Sequence, residues 1–263
     1  MSIGTAKPSS EEQSDVIHYF IDSHELPDEV TAARFAREAE ALLEQLFVVH
    51  KTVVLTGGSG MFVDALIDGL DDIPTSVTIK AELQLQLEKE GLAALLDELK
   101  FKDPIFYDQV DKKNPMRVMR ALEAIRLTNR PYSQLRTNNS KKKYHTHRFI
   151  IQHPRESLYE RINRRVDAMI EDGLIEEVRT LLPYRQLFAL RTVGYKEIFE
   201  FFDGKHDLKK AIELIKQHTR NYAKRQITWT KRYQDAHFLD YSTVEEMTET
   251  ILNSIPSMTV TKQ

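Results

Sequence analysis

Residues 30–47 (VTAARFAREAEALLEQLF) set Phe35, Ala39, Leu42, Leu43, Leu46 and Phe47 at helical spacing, which predicts an amphipathic helix. The period then changes. Residues 52–56 (TVVLT) are β-branched or apolar throughout, the pattern of a strand buried on both faces of a parallel sheet. Gly57, Gly58, Ser59 and Gly60 turn the chain into MFVDALIDGL, which is helical again. Helix, buried strand, glycine turn and helix together predict an α/β fold of the doubly wound kind.

From 75 to 130 no strand pattern occurs. IKAELQLQLEKEGLAALLDELK and NPMRVMRALEAIRLTNRP both read as helices, so 75–147 is expected to be an all-helical insertion in a core built from 1–74 and 148–263. Residues 133–147 are polar and basic without periodicity and predict a mobile loop. RFIIQH (148–153) returns as a strand. SLYERINRRVDAMIEDGLIEEVRTLL and LKKAIELIKQHTRNYAKRQITWTKRY are long helical regions, the first with a break expected at Gly173, and AHFLD (236–240) reads as a closing strand.

Composition narrows the class. The chain has 263 residues, 41% hydrophobic and 29% charged, which predicts a soluble globular protein with a substantial core. No apolar run is long enough to span a bilayer and no secretory leader pattern opens the chain, so a cytoplasmic location is expected. The absence of cysteine excludes disulfides, thiolate zinc sites and a cysteine nucleophile. The net charge of −3 conceals segregation: residues 112–148 carry +10 and residues 209–232 carry +7. One basic run is usually a solvated helix face. Two in an otherwise acidic chain favour a polyanion such as nucleic acid.

Taken singly, the chemical signals are modest. A Gly-Gly-Ser-Gly turn after a strand lets backbone N–H groups approach a ligand closely, but it equally suits a tight turn needed only for packing. It lacks the Lys-Ser/Thr pair of a Walker A loop. Arg191, before the glycine turn of ALRTVGYKE, has the planar donors that suit a phosphate, or it pairs with a surface acid. Lys216, Arg220 and Lys224 fall at i, i+4 and i+8 of one helix, whose other face carries Ile212, Ile215, Tyr222 and Trp229. Arg117 and Arg120 share a face of another helix. His18 and His24 flank an expected strand or turn, His145 and His147 lie in the basic loop, and no carboxylate spacing joins them, so no protein-bound metal is expected.

Together, IGTAKPSSEE, IHYFID, VVLTGGSGMFVDALIDGL, NPMRVMRALEAIRLTNRPYS, LYERINRRVDAMIEDGLIEEV, LRTVGYKE and YAKRQITWTKR resemble the tRNA dimethylallyltransferases, and they span nearly the whole chain in that family's order. The resemblance implies a P-loop-kinase-like α/β core with a helical insertion. It implies transfer of a dimethylallyl group from dimethylallyl diphosphate to N6 of adenosine 37, beside the tRNA anticodon, aided by Mg²⁺. It puts Ser59 beside the reaction channel and Arg191 on the diphosphate, with Gly57, Gly58, Arg220 and Lys224 as further channel residues. Lys80 falls near a tRNA-contacting position of the family, and Met116, Arg117, Val118, Met119 and Arg120 match a tRNA-contacting stretch, as do Lys216, Gln217, His218 and Thr219. The expected partners are the tRNA anticodon stem-loop and the diphosphate donor, without a membrane, and the chain is expected to be a monomer.

In that family IGTAKP follows a phosphate-binding loop and an aspartate that acts as general base. Neither precedes it here, so the resemblance implies a chain lacking its first β-loop-α unit, expected to fold poorly and to be inactive by itself. Two other readings stand beside the enzyme: an inactive tRNA-binding homologue, and a small-molecule kinase relative. The basic patches and the missing Walker loop weigh against the kinase.

Overall fold

The computed structural model describes residues 1–5, 7–71, 73–136 and 143–255. These form a mainly helical protein with a small parallel sheet, divided into two compact units: residues 1–63 with 145–263, and residues 64–144.

In the first unit, α1 (Ala32–Val49) starts where the Thr31 hydroxyl accepts from the Arg34 amide. Its stripe is less buried than its period predicts: Ala32 and Ala39 are buried, while Phe47, Val48 and Val49 are exposed. Phe35 packs its ring against Phe20 and Phe62 at 5.1 and 5.3 Å. Phe62 lies on α2 (Gly60–Ile67), which leads into the second unit.

The strand expected at 52–56 does not form a ladder. Val54 is 84% and Leu55 44% exposed, and no described strand lies beside them to cover their apolar faces. The sheet holds two strands, β1 (Phe149–Gln152) and β2 (His237–Asp240), paired in parallel with Phe149 opposite His237. A many-stranded doubly wound sheet is therefore not present among the described residues. His18 and His24 lie in irregular chain turned by Phe20 and Asp22, both at positive φ.

The second unit contains α3 (Val77–Lys102), α4 (Pro104–Gln109), α5 (Pro115–Thr128) and α6 (Tyr132–Leu135). α3 kinks at Gly91, whose φ of +79° lies where only glycine is comfortable. α4 was not foreseen in the sequence; Asp103, 1% exposed, caps it and also accepts from the Ser133 amide and hydroxyl. Leu83, Leu95, Leu99, Val118 and Leu122 form the core. Residues 133–135 are helical, and the part of the predicted loop from 137 to 142 lies outside the described residues.

Returning to the first unit, α7 (Arg155–Glu171) and α8 (Leu174–Thr180) are separated at Gly173, as the sequence predicts, with φ +99°. α9 (Tyr195–Phe202) and α7 both pack on α10 (Leu208–Thr230), and α11 (Val244–Ser254) follows β2. Tyr195, Leu190, Leu174, Val166, Ile198 and Ile215 are buried together.

Candidate functional site

The glycine turn is shaped by two side chains of α10. Gln226 donates from Nε2 to the Gly58 carbonyl at 2.9 Å. A Cβ on Gly58 would stand 2.0 Å from that nitrogen, and one on Gly60 2.1 Å from Cδ1 of Trp229. Gly60 is therefore required by packing against the rigid indole, whereas a side chain at Gly58 would only push aside the flexible end of Gln226 and break its hydrogen bond. Gly57 is different: a Cβ there would meet open space, so the backbone is approachable from outside. Ser59 is exposed, and its carbonyl accepts from the Phe62 and Val63 amides at 3.0 and 3.2 Å, which starts α2. Trp229 donates to the Tyr233 hydroxyl at 3.1 Å, which fixes the indole that closes the turn. GGSG and QITW, far apart in the chain, thus form one structure.

Arg191 ends a 3₁₀ turn (Phe188–Arg191) and is exposed. Among the described residues it has no ion pair and no hydrogen bond from its side chain, so the surface-acid alternative finds no partner. The turn after it is tightly built. Gly194, at φ +97°, donates its amide to Glu197 Oε2 at 2.8 Å, and Glu197, 1% exposed, accepts His218 Nδ1 on its other oxygen at 2.6 Å. His218 is held by α9, with its remaining ring nitrogen left for another partner.

The basic face of α10 is not uniformly free. Lys216 pairs with Asp167 of α7 at 2.7 Å and its side chain is 16% exposed, so it serves the α7–α10 contact rather than a ligand. The Thr219 hydroxyl donates back to the Ile215 carbonyl, satisfying itself within the helix. Gln217 and Lys224 are exposed. Arg220 donates to Asn163 Oδ1 at 2.6 Å. No described hydrogen bond or ion pair joins Arg191 to the glycine turn or to α10.

A further site gathers three of the sequence stretches quoted above. The Glu177 carboxylate accepts the amides of Ser2, Ile3 and Gly4 at 2.7, 3.0 and 3.1 Å, together with the Tyr195 hydroxyl at 2.6 Å. Burial acts to raise its pKa, but these donors outweigh it and hold the carboxyl below its usual value. Burial, reinforced by the neighbouring carboxylate, pushes the Tyr195 phenol far above its usual range. Glu177 and Glu197 carried no role in the sequence reading. Their signal was an acidic residue set among apolar helix positions.

In the second unit the expected tRNA-contacting stretch divides. Val118 is fully buried and Met119 is 4% exposed, so their side chains belong to the core and offer no contact. Arg120 is committed as well: it donates to the Pro74 and Ile73 carbonyls at 3.0 and 2.7 Å and to Glu123 Oε2 at 3.0 Å. Glu123, 5% exposed, also accepts the Ser76 amide that precedes α3. Met116, Arg117 and Lys80 are exposed, and the Arg117 and Lys80 side chains have no partner among the described residues. Lys80 lies in the first turn of α3 and Arg117 in that of α5.

Among the described residues no group of three or more His, Asp and Glu side chains could hold a metal ion. No helix of the described residues is long and apolar enough to cross a membrane.

The model of the IPP transferase family matches residues 1–233. The chain is 44% identical over 259 residues to tRNA dimethylallyltransferase 1 of Bacteroides thetaiotaomicron, covering 94% of this chain and 84% of that protein. It is 41% identical over 250 residues to the tRNA dimethylallyltransferase of Cytophaga hutchinsonii, covering 94% and 82%. Its structure resembles that of the tRNA isopentenylpyrophosphate transferase of Bacillus halodurans at 32% identity and a TM-score of 0.69, covering 97% of this chain and 82% of the other. A eukaryotic dimethylallyltransferase acting on tRNA shares the fold, with a TM-score of 0.80 at 23% identity, covering 96% and 68%.

Proposed function

The chain belongs to the IPP transferase family, and we propose that it transfers a dimethylallyl group from dimethylallyl diphosphate to N6 of adenosine 37 in tRNA. It is a prenyltransferase of the tRNA-modifying kind, and the relatives named above lend no support to an inactive binding homologue. The observation that carries the proposal is the closure of the GGSG turn by Gln226 and Trp229, which leaves Gly57 and Ser59 exposed.

The chemistry explains why such parts are needed. The exocyclic amine of adenosine is conjugated to the purine and is a weak nucleophile. In the transfer, N6 forms a bond to C1 of the dimethylallyl group, the C1–O bond breaks, diphosphate departs with the electron pair, and N6 loses a proton. The enzyme must orient the amine and neutralise the departing diphosphate. The backbone N–H groups at the turn and the unpaired guanidinium of Arg191 are suited to the diphosphate, because planar donors bind two oxygens at once. Mg²⁺, the expected cofactor, would supply further neutralisation of the charge on the departing diphosphate. The acceptor base must leave the anticodon-loop stack to be reached. Arg117, Lys80, Gln217 and the second ring nitrogen of His218, which has no partner among the described residues, are available to the flanking RNA.

A P-loop-kinase-like core, a monomeric state and a cytoplasmic location belong to the same proposal. Incubating the protein with labelled dimethylallyl diphosphate, Mg²⁺ and a tRNA carrying adenosines at positions 36 and 37 tests it. Label recovered as N6-isopentenyladenosine is the expected result. Transfer to no RNA, or to another nucleoside, would overturn it.

A further inference from the structure

Three cations surround one tyrosine where α7 packs on α10. Arg155, Tyr159 and Asn163 repeat at intervals of four along α7, and Arg220 and Lys224 do the same on α10. Arg155 donates from Nε to the Tyr159 hydroxyl at 3.1 Å, and its guanidinium carbon stands 5.3 Å from the ring centroid. The guanidinium carbon of Arg220 and the ammonium of Lys224 each stand 6.0 Å from the same centroid.

None of the three is paired with a carboxylate among the described residues. Arg34, Arg120, Arg126, Arg179, Arg185 and Lys216 each pair with a carboxylate, whereas among the described residues these three, like Arg117, Arg191 and Lys80, do not. Glu156 and Glu160 lie on the same helix without an ion pair to the cluster. Like charges gathered round a weakly attractive ring repel one another, and folding alone would favour a carboxylate between them. Tyr159 registers the uncompensated charge: burial acts to raise its pKa, yet Arg155 and Lys224 bring the phenol below its ordinary value.

We propose that Arg155, Tyr159, Arg220 and Lys224 form a contact site for the sugar–phosphate backbone of the RNA substrate, with the cations on phosphate oxygens and the tyrosine spacing them. This assigns Arg220 and Lys224 to RNA instead of the donor diphosphate. Arg155 and Lys224 are exposed. That suits a long polyanion bound in contact with water, whereas diphosphate departure calls for a site from which water is excluded. The proposal rests on the tRNA-modifying reading above.

The test is tRNA binding by the parent and by the double variant Arg155→Gln Lys224→Gln, which keeps much of each side-chain stem. At ~0.1 M monovalent salt, each lost contact with a single strand should weaken binding about fivefold, so the pair should weaken it about 25-fold. The plot of log affinity against log salt should become shallower by about 1.4. The KM for dimethylallyl diphosphate should stay at the parent value, and Tyr159→Ala should also weaken tRNA binding. A variant with the parent's affinity and salt slope would overturn the site. A raised donor KM with unchanged tRNA affinity would return the cations to the diphosphate and overturn it too. A parent that binds no tRNA would overturn the tRNA-modifying reading first, and this site with it.

Discussion

The Tyr195 hydroxyl donates to Glu177 at 2.6 Å, and the same carboxylate accepts three consecutive amides from residues 2–4. A Cβ on Gly4 would fall 2.5 Å from the Tyr195 ring, so the stretch IGTA lies directly on that tyrosine. Two residues thus tie the start of the described chain to α8 and α9.

This pair predicts a dependence of stability on pH. The pKa of Glu177 is lower folded than unfolded, so its contribution is complete above the unfolded pKa and is lost as pH falls through the folded one. Stability should be level above about pH 5 and decline below about pH 4 with a component that Glu177→Gln removes. The same variant should cost on the order of 2 kcal/mol at neutral pH, since one acceptor replaces a charged group serving four donors. Denaturant melts of both forms across pH check this, and parallel pH curves would refute it.

Arg191→Ala should leave the melting temperature unchanged, because the side chain has no partner in the described fold. It should lower kcat/KM for dimethylallyl diphosphate by roughly 30- to 150-fold, the loss of a charge-assisted contact of about 2–3 kcal/mol. Steady-state kinetics beside a thermal melt separates the outcomes: a lowered melting temperature with parental activity would assign Arg191 to the fold.

Gly60→Ala drives a methyl group into the Trp229 indole and should cost about 1–3 kcal/mol, with reduced transfer activity. The collision is specific. Trp229→Leu in the Gly60→Ala background should recover part of the stability, because the smaller side chain makes room. A double-mutant cycle with no coupling between the two positions would contradict the packing described.

Arg117 and Arg120 should behave oppositely. Arg120→Ala abandons the buried Glu123 carboxylate and two carbonyls, and should destabilise by about 2–4 kcal/mol. Arg117→Ala should leave stability within about 0.5 kcal/mol and weaken tRNA binding about fivefold at ~0.1 M salt. Filter binding combined with denaturant unfolding reads both effects, and equal behaviour of the two variants would refute the division.

The sequence by itself determined the local elements. Helical periodicity located α1, α3, α5, α7 and α10 to within a few residues, Gly173 marked the break between α7 and α8, and short apolar runs marked both strands of the parallel pair. These signals are local: each depends on spacing within one segment. The motifs also identified the family, because several specific stretches occur in order along nearly the whole chain. Tertiary structure alone decided which basic side chains remain available. Arg120 is bound by carbonyls 46 and 47 residues away, and Lys216 by an aspartate on another helix, whereas Arg191 and Arg117 have no side-chain partner among the described residues. No helical or strand period encodes such pairings, because charge neutralisation depends on which elements meet in space. For the same reason residues 52–56 mislead: β-branched composition favours an extended chain, but burial needs neighbouring strands, and none lies beside them among the described residues.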